Sequence, residues 1–167
     1  MSLFENNDEK SSNKDFLMKK ACNLANQNVL LGGGPFGCII TDNNDFIIGE
    51  GSNQVTLKND PTLHAEIVAI RDACNKLKTF NLSGSTLYTS CEPCPMCLSA
   101  IYWARIDKVF YGNTRGDAKA IGFDDDFIYE EIGKKLNERK VQMVQLCENS
   151  SKKSFQLWCE KENKIKY

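Results

Sequence analysis

Thr86-Leu87-Tyr88-Thr89-Ser90-Cys91-Glu92-Pro93-Cys94-Pro95-Met96-Cys97 is the stretch in which a strand pattern gives way to a helix pattern. Thr86 to Thr89, β-branched and aromatic, predicts a short strand. Pro95 has φ preset for a first helical turn, and Leu98 to Ala104 continue as helix. Between them stand two thiols in a Cys-x-x-Cys pair, Cys94 and Cys97. Upstream, the Asn59-Asp60-Pro61-Thr62 turn leads into a second helix, with His64 and Glu66 on its first turns. Two thiolates and a neutral imidazole are ligands that zinc favours in a tetrahedral site. Three protein ligands leave a position for water, which separates a catalytic zinc from a structural one.

The spacing brings both sulfurs to one ion at a helix start, where free N–H groups and the dipole favour thiolate. Such ligands carry about two negative charges and neutralise Zn²⁺, so bound water is less acidic than at an all-histidine site. A nearby base is then useful, and Glu66 is the obvious candidate to take and return a proton. Two other readings compete. The Cys-x-x-Cys could be a redox pair, or Cys91 could complete a four-ligand structural zinc.

Around this centre the chain has the size of one domain, 167 residues, with Lys plus Arg 21 against Asp plus Glu 22. That near balance gives no basic field to attract a polyanion and disfavours nucleic acid as the main partner. Eight cysteines invite a disulfide reading, but three fall within seven residues of a chain large enough to build a core. The polar stretch Met1 to Lys14 has no apolar segment of the signal-peptide kind, and no run is long enough to span a membrane. The expectation is a cytoplasmic protein with reduced cysteines, no membrane contact and zinc as cofactor, one ion per chain.

Read in order, residues 1–13 are expected to be a disordered or frayed N-terminal tail. From Asp15 a helix follows, with Phe16, Leu17, Ala21, Leu24, Ala25 and Val29 as its apolar face. Gly32-Gly33-Gly34-Pro35-Phe36 stops it; with no Gly-Lys-Ser/Thr behind, this is no phosphate cradle. Gly37 to Thr41 and Phe46 to Ile48 predict a hairpin around Asp42 to Asp45, the second strand continuing through Ser52 to Val55. Ile67, Val68, Ile70, Ala73 and Leu77 are the expected buried face of the second helix. Lys108 to Tyr111 predicts a strand, Thr114 to Asp126 a loop, and Phe127 to Lys135 a helix. Val141 to Cys147 predicts another strand and Ser151 to Lys161 a last helix. The fold class is therefore α/β with a mixed central sheet. The division expected is a core over 14–150 and a C-terminal helix and tail over 151–167.

The His64-Ala65-Glu66 and Pro93-Cys94…Cys97 elements resemble those of the cytidine-deaminase superfamily, which implies a three-layer α/β/α fold. More of the chain is similar to the bacterial-type guanine deaminase family: GGGPFGCII, NDPTLHAE, LYTSCEPCPMCLSAIYWAR, GFDDDFIYEEI and the final Tyr167. The resemblance implies zinc on His64, Cys94 and Cys97, and a proton shuttle at Glu66, for hydrolysis of guanine to xanthine and ammonia. It also implies a purine pocket formed by Phe36, Asn53, Trp103 and Asp125, with Asp125 guiding proton transfer. A homodimer is implied as well, its C-terminal segments exchanged so that Tyr167 covers the partner's site. Guanosine deaminase shares much of this pattern and stays open as an alternative. A tRNA adenosine deaminase is the alternative that binds RNA. The stretch Asn113-Thr114-Arg115-Gly116 departs from the family's usual sequence just ahead of the pocket acid.

Overall fold

The computed structural model describes residues 5–167; the first four residues of the expected tail lie outside this range. Helix α1 spans Glu5–Leu30, so residues 5–13 continue the helix backbone. Its inner face is Leu17, Ala21, Ala25 and Asn28, spaced at three and four, while Phe16 and Val29 are exposed. Both had been expected on that face. Phe16 lies off the i, i+4 row of Leu17, Ala21 and Ala25, and at the end of the helix the buried position passes from that row to Asn28, which leaves Val29 exposed.

Strands β1 (Gly37–Thr41) and β2 (Ile47–Ser52) form the expected hairpin, Gly37 opposite Ser52. The second strand stops there: Val55–Lys58 is a single helical turn, α2. Helix α3 (Ala65–Leu77), β3 (Thr86–Cys91), α4 (Pro95–Ala104) and β4 (Lys108–Asn113) follow. The sheet order is β2-β1-β3-β4, with β1 antiparallel to both neighbours and β3 parallel to β4. The sheet is thus mixed, as expected.

β1 is buried along its whole length because both faces are covered. Cys38 and Ile40 pack with Leu87 against α3 and α4, through Ala65, Ala69, Ala73, Ile101 and Ala104. Ile39 and Tyr88 point the other way, onto Leu17 and Ala21 of α1. This is the α/β/α sandwich, the alternation of β1 and β3 sending successive side chains to opposite layers.

The buried seam of α3 is alanine: Ala73 is fully covered as expected, Ala65 and Ala69 join it, and Leu77 is exposed. Gly51 explains the choice. A Cβ there would collide with the carbonyl of Ala65 and lie 2.5 Å from the Ala69 nitrogen. Helix and strand backbones therefore touch, which only small residues on both sides permit.

Residues up to Asp125 form one compact unit and Asp126–Tyr167 a second, a division the sequence does not mark. Within the stretch expected to be loop, α5 (Arg115–Ala120) is closed by a capping box between Thr114 and Asp117. The second unit holds α6 (Asp126–Gly133), a 3₁₀ turn at Leu136–Glu138 and α7 (Glu148–Glu160). Residues 141–147, expected as a strand, form none. The apolar run Val141, Met143, Val144 and Leu146 suits a strand, but no described strand pairs with it, and an unpaired strand has no stability of its own. No described helix is long and apolar enough to cross a membrane.

Candidate metal centre and purine cavity

The register places four chain crossings at one edge of the sheet. Gly37 starts β1 opposite Ser52, the end of β2, and β3 and β4, parallel to each other, both end at that same edge. Phe36, Asn53, the loop Glu92–Cys94 and Arg115 are therefore neighbours, although up to about eighty residues apart in sequence. α3 and α4 lie on one face of the sheet, and both helices begin at this edge.

Those two helix starts carry the donors. His64 is the N-cap of α3 and Cys94 that of α4, both with extended backbone. Pro95 occupies the first turn of α4 and Cys97 is fully buried two residues on. One donor atom each from His64, Cys94 and Cys97 lies within 4.8 Å of the others. Cys94 Sγ is 3.5 Å from His64 Nδ1. A tetrahedral zinc with its usual bond lengths puts sulfur and nitrogen about 3.6 Å apart, so the donor set fits the ion.

Hydrogen bonds among these donors couple their protons. The Cys94 thiol is lowered to about 4, first by the hydrogen bond from Cys97 and then by His64. The same contact with Cys94, with burial, raises Cys97. His64 is raised by its bond to Cys94. Cys91 does not join the cluster. Its sulfur donates to the Thr114 carbonyl at 3.6 Å, and burial raises its thiol to about 11. That geometry gives no support to Cys91 as a fourth ligand.

Glu66 lies beside the cluster, 5% exposed. Thr89 Oγ1 donates to its Oε1 at 3.0 Å and the Cys97 thiol to its Oε2 at 3.4 Å. Burial is the main cause of its raised pKa, with the two donors working against it. A buried carboxyl held in one orientation and raised toward neutrality has the attributes of a proton-transfer group.

Above this floor opens a cavity of about 570 Å³, inside the ~300–1,000 Å³ usual for small-molecule sites. Phe36, Asn53, Phe123 and Asp125 line it together with His64 and Glu66. Phe123 meets Phe36 edge-on at 4.9 Å and 85°. Asn53 is nearly buried; its N–H donates to the Phe36 carbonyl at 3.0 Å, and its Oδ1 accepts from the Val55 N–H at 3.2 Å. Arg115, in the divergent stretch, lines the cavity, and its backbone N–H donates to Glu92 at 3.1 Å.

One residue expected in the pocket is not brought to this cavity. Trp103 is 64% exposed. It lies nine residues past the α4 N-cap, about 13.5 Å along the axis at 1.5 Å per residue. Tyr167, whose expected place is the partner's site, belongs to the second unit and is 70% exposed. Conversely, sequence reading missed Asn28, Thr89 and Phe123. Phe123 stands next to the quoted acidic run, but a single Asn in a helix and a Thr in a strand carry no signal of their own.

Comparison with known proteins agrees with this geometry. Residues 11–113 match the model of the cytidine and deoxycytidylate deaminase zinc-binding region. The chain is 49% identical over 156 residues to a guanine deaminase of Bacillus subtilis, covering 93% of this chain and 99% of that protein. The X-ray structure of guanine deaminase from that organism superposes with a TM-score of 0.88, at 49% identity, over 92% of this chain and 98% of its own. A tRNA-specific adenosine deaminase of Haemophilus influenzae is 39% identical over 115 residues, 66% of either chain. With the matched region spanning His64, Glu66, Cys94 and Cys97, this chain belongs to the cytidine and deoxycytidylate deaminase family of zinc-binding proteins.

Proposed function

We propose that the protein is a zinc-dependent aminohydrolase that converts guanine to xanthine and ammonia. The observation that carries this reading is the buried Glu66 beside the His64–Cys94–Cys97 donors on the floor of a purine-sized cavity. Near-full-length likeness to a guanine deaminase supplies the substrate. His64, Cys94 and Cys97 would hold zinc, one ion per chain, which would supply Lewis acidity to activate water at neutral pH.

The chain's own residues do the rest. Glu66, its Oε1 fixed by Thr89, takes a proton from the attacking water and returns it to the departing amine. Asn53, with its Oδ1 held by the Val55 N–H, offers its Nδ2 donors to an acceptor on the base. Asp125 accepts from the donor edge of guanine and guides proton transfer. Phe36, backed by Phe123, covers the ring face. Thiol ligands require a reducing compartment, which supports a cytoplasmic enzyme.

Ammonia release from guanine, guanosine, adenine, cytosine and a tRNA anticodon stem-loop tests the assignment. Guanine should exceed adenine and cytosine by on the order of 10² or more in kcat/KM, because unmatched polar groups in a built pocket are costly. Turnover of the stem-loop with none of guanine would move the protein to the tRNA adenosine deaminase class. Preference for guanosine would make it a nucleoside enzyme.

The reading includes a homodimer with exchanged C-terminal segments, Tyr167 completing the partner's pocket. No described residue from Asp126 onward is buried, although this unit holds Phe127, Val141, Val144, Leu146, Phe155 and Trp158. An apolar surface of that kind calls for a partner, and β4 ends the sheet with an open edge that a strand from residues 141–147 could pair. Exchange between identical chains satisfies both at low cost. Glu66→Gln chains mixed with chains cut after Asn163 provide the test. Hybrid dimers should regain partial activity, since the truncated chain keeps an intact zinc site and receives its tail from the other. Demonstrated subunit exchange without recovered activity would refute closure in trans.

A further inference from the structure

We propose that Asn28 is a positioning residue for purine binding, clamping the two loops that carry Phe36 and Asn53. The inference rests on the purine reading above. Asn28 sits on α1, away from the metal donors, and is 4% exposed. Its single Nδ2 donates to two carbonyls, Gly34 O at 2.7 Å and Asn53 O at 2.7 Å. Gly34 belongs to the loop before β1 and Asn53 follows β2. Beyond the sheet edge the loops share one backbone bond, Asn53 N–H to Phe36 O at 3.0 Å. Asn28 adds a shorter side-chain tie to the exposed one from Thr56 Oγ1 to the Gly32 carbonyl at 3.3 Å. Its own carbonyl accepts from the Gly33 N–H at 2.9 Å, so the glycine loop is gripped through both backbone and side chain.

The packing around the clamp leaves no slack. A Cβ on Gly33 would run into the Asn28 side-chain amide, lying 2.7 Å from its Cγ. A Cβ on Gly34 would lie 3.0 Å from the Asn53 Cγ. The glycine run is thus read by two asparagines rather than by a phosphate.

The residue type follows from the task. One planar group must give two donors to two carbonyls in a buried place. Asp at this position presents acceptors to acceptors, and an apolar residue leaves both carbonyls without this donor. A purely structural role on this face is met by Leu17, Ala21 and Ala25, which are apolar. The amide of Asn28 instead fixes the Asn53 backbone, and through it the side chain that meets the base.

Asn28→Asp tests the clamp with little change of shape. KM for guanine should rise about tenfold or more, the loss of one buried and one part-buried hydrogen bond to the loops. kcat should stay within about threefold, because Glu66 and the metal donors are untouched. Zinc content should equal that of the parent. A loss of stability alone would not move KM apart from kcat, so that split is the readout. Gly33→Ala disturbs the same clamp from the loop side and should give the same split; it decides the matter if Asn28→Asp is insoluble. Soluble, zinc-loaded variants with unchanged KM, or with kcat lowered at constant KM, overturn the proposal. A parent chain inactive on guanine overturns the substrate reading and this inference with it, whereas an active parent with unaltered variants overturns this inference alone.

Discussion

Glu66→Gln is expected to lower kcat by about 10²–10⁴, the range for loss of a positioned acid–base group, while zinc content and fold are retained. The amide keeps the shape of the carboxyl and can still accept from Thr89 Oγ1, which lies 3.0 Å from Oε1. It cannot hold and return a proton. KM should change little, since Glu66 lies on the cavity floor and the expected base contacts come from Asn53 and Asp125. Stability gives an independent check on the sign of the effect. Burial raises the Glu66 pKa, so its contribution to stability is present while it is protonated and is lost as pH rises through the folded-state value. Above that pH the ionised carboxylate works against folding, and the amide removes this cost. Stripped of metal, Glu66→Gln should therefore melt at neutral pH no lower than the parent stripped in the same way. Full activity in Glu66→Gln would sink the mechanism, and loss of zinc together with activity would make Glu66 a ligand instead.

Cys97→Ala should abolish activity by removing the metal. Outer-shell partners of metal ligands typically contribute 10–100-fold to affinity, so loss of a direct ligand should weaken zinc binding by more than about 10². Cys97 is fully buried at the start of α4, where no other described side chain joins the three-donor cluster to replace it. Cys91→Ala is the matched comparison. Its sulfur is six residues away in sequence and equally small, but it donates to the Thr114 carbonyl and stays outside the cluster. Metal analysis of both variants, purified without added zinc, separates the two ligand sets. Zinc kept by Cys91→Ala and lost by Cys97→Ala supports three ligands and a free position. Zinc lost from both would make Cys91 a fourth ligand and the site a structural one.

Glycine and alanine positions mark where the sequence said least. Hydrophobic spacing on α3 pointed to Ile67, Val68, Ile70, Ala73 and Leu77, yet of these Ala73 alone is fully buried, and it forms the seam with Ala65 and Ala69. Large apolar residues dominate any periodicity, but where Gly51 lets two backbones touch, the smallest residues are the buried ones. The missing strand over residues 141–147 has a related cause. Alternation describes a side-chain pattern, whereas a strand exists only when another strand accepts its hydrogen bonds.

The sequence by itself determined the chemistry of the floor and the class of the fold. His64, Glu66, Cys94 and Cys97 sit on first helical turns, so their spacing along the chain already fixed which atoms start two helices, and strand–helix alternation with a hairpin determined a mixed sheet. Only the tertiary structure decided that Cys91 turns to Thr114, that Trp103 lies away from its own chain's cavity, and that Asn28 and Thr89 support Asn53 and Glu66. The physical reason is range: a ligand pair within one helical turn is set by local backbone geometry, while contacts spanning 23 to 25 residues exist only once the sheet register has brought separate elements to one edge.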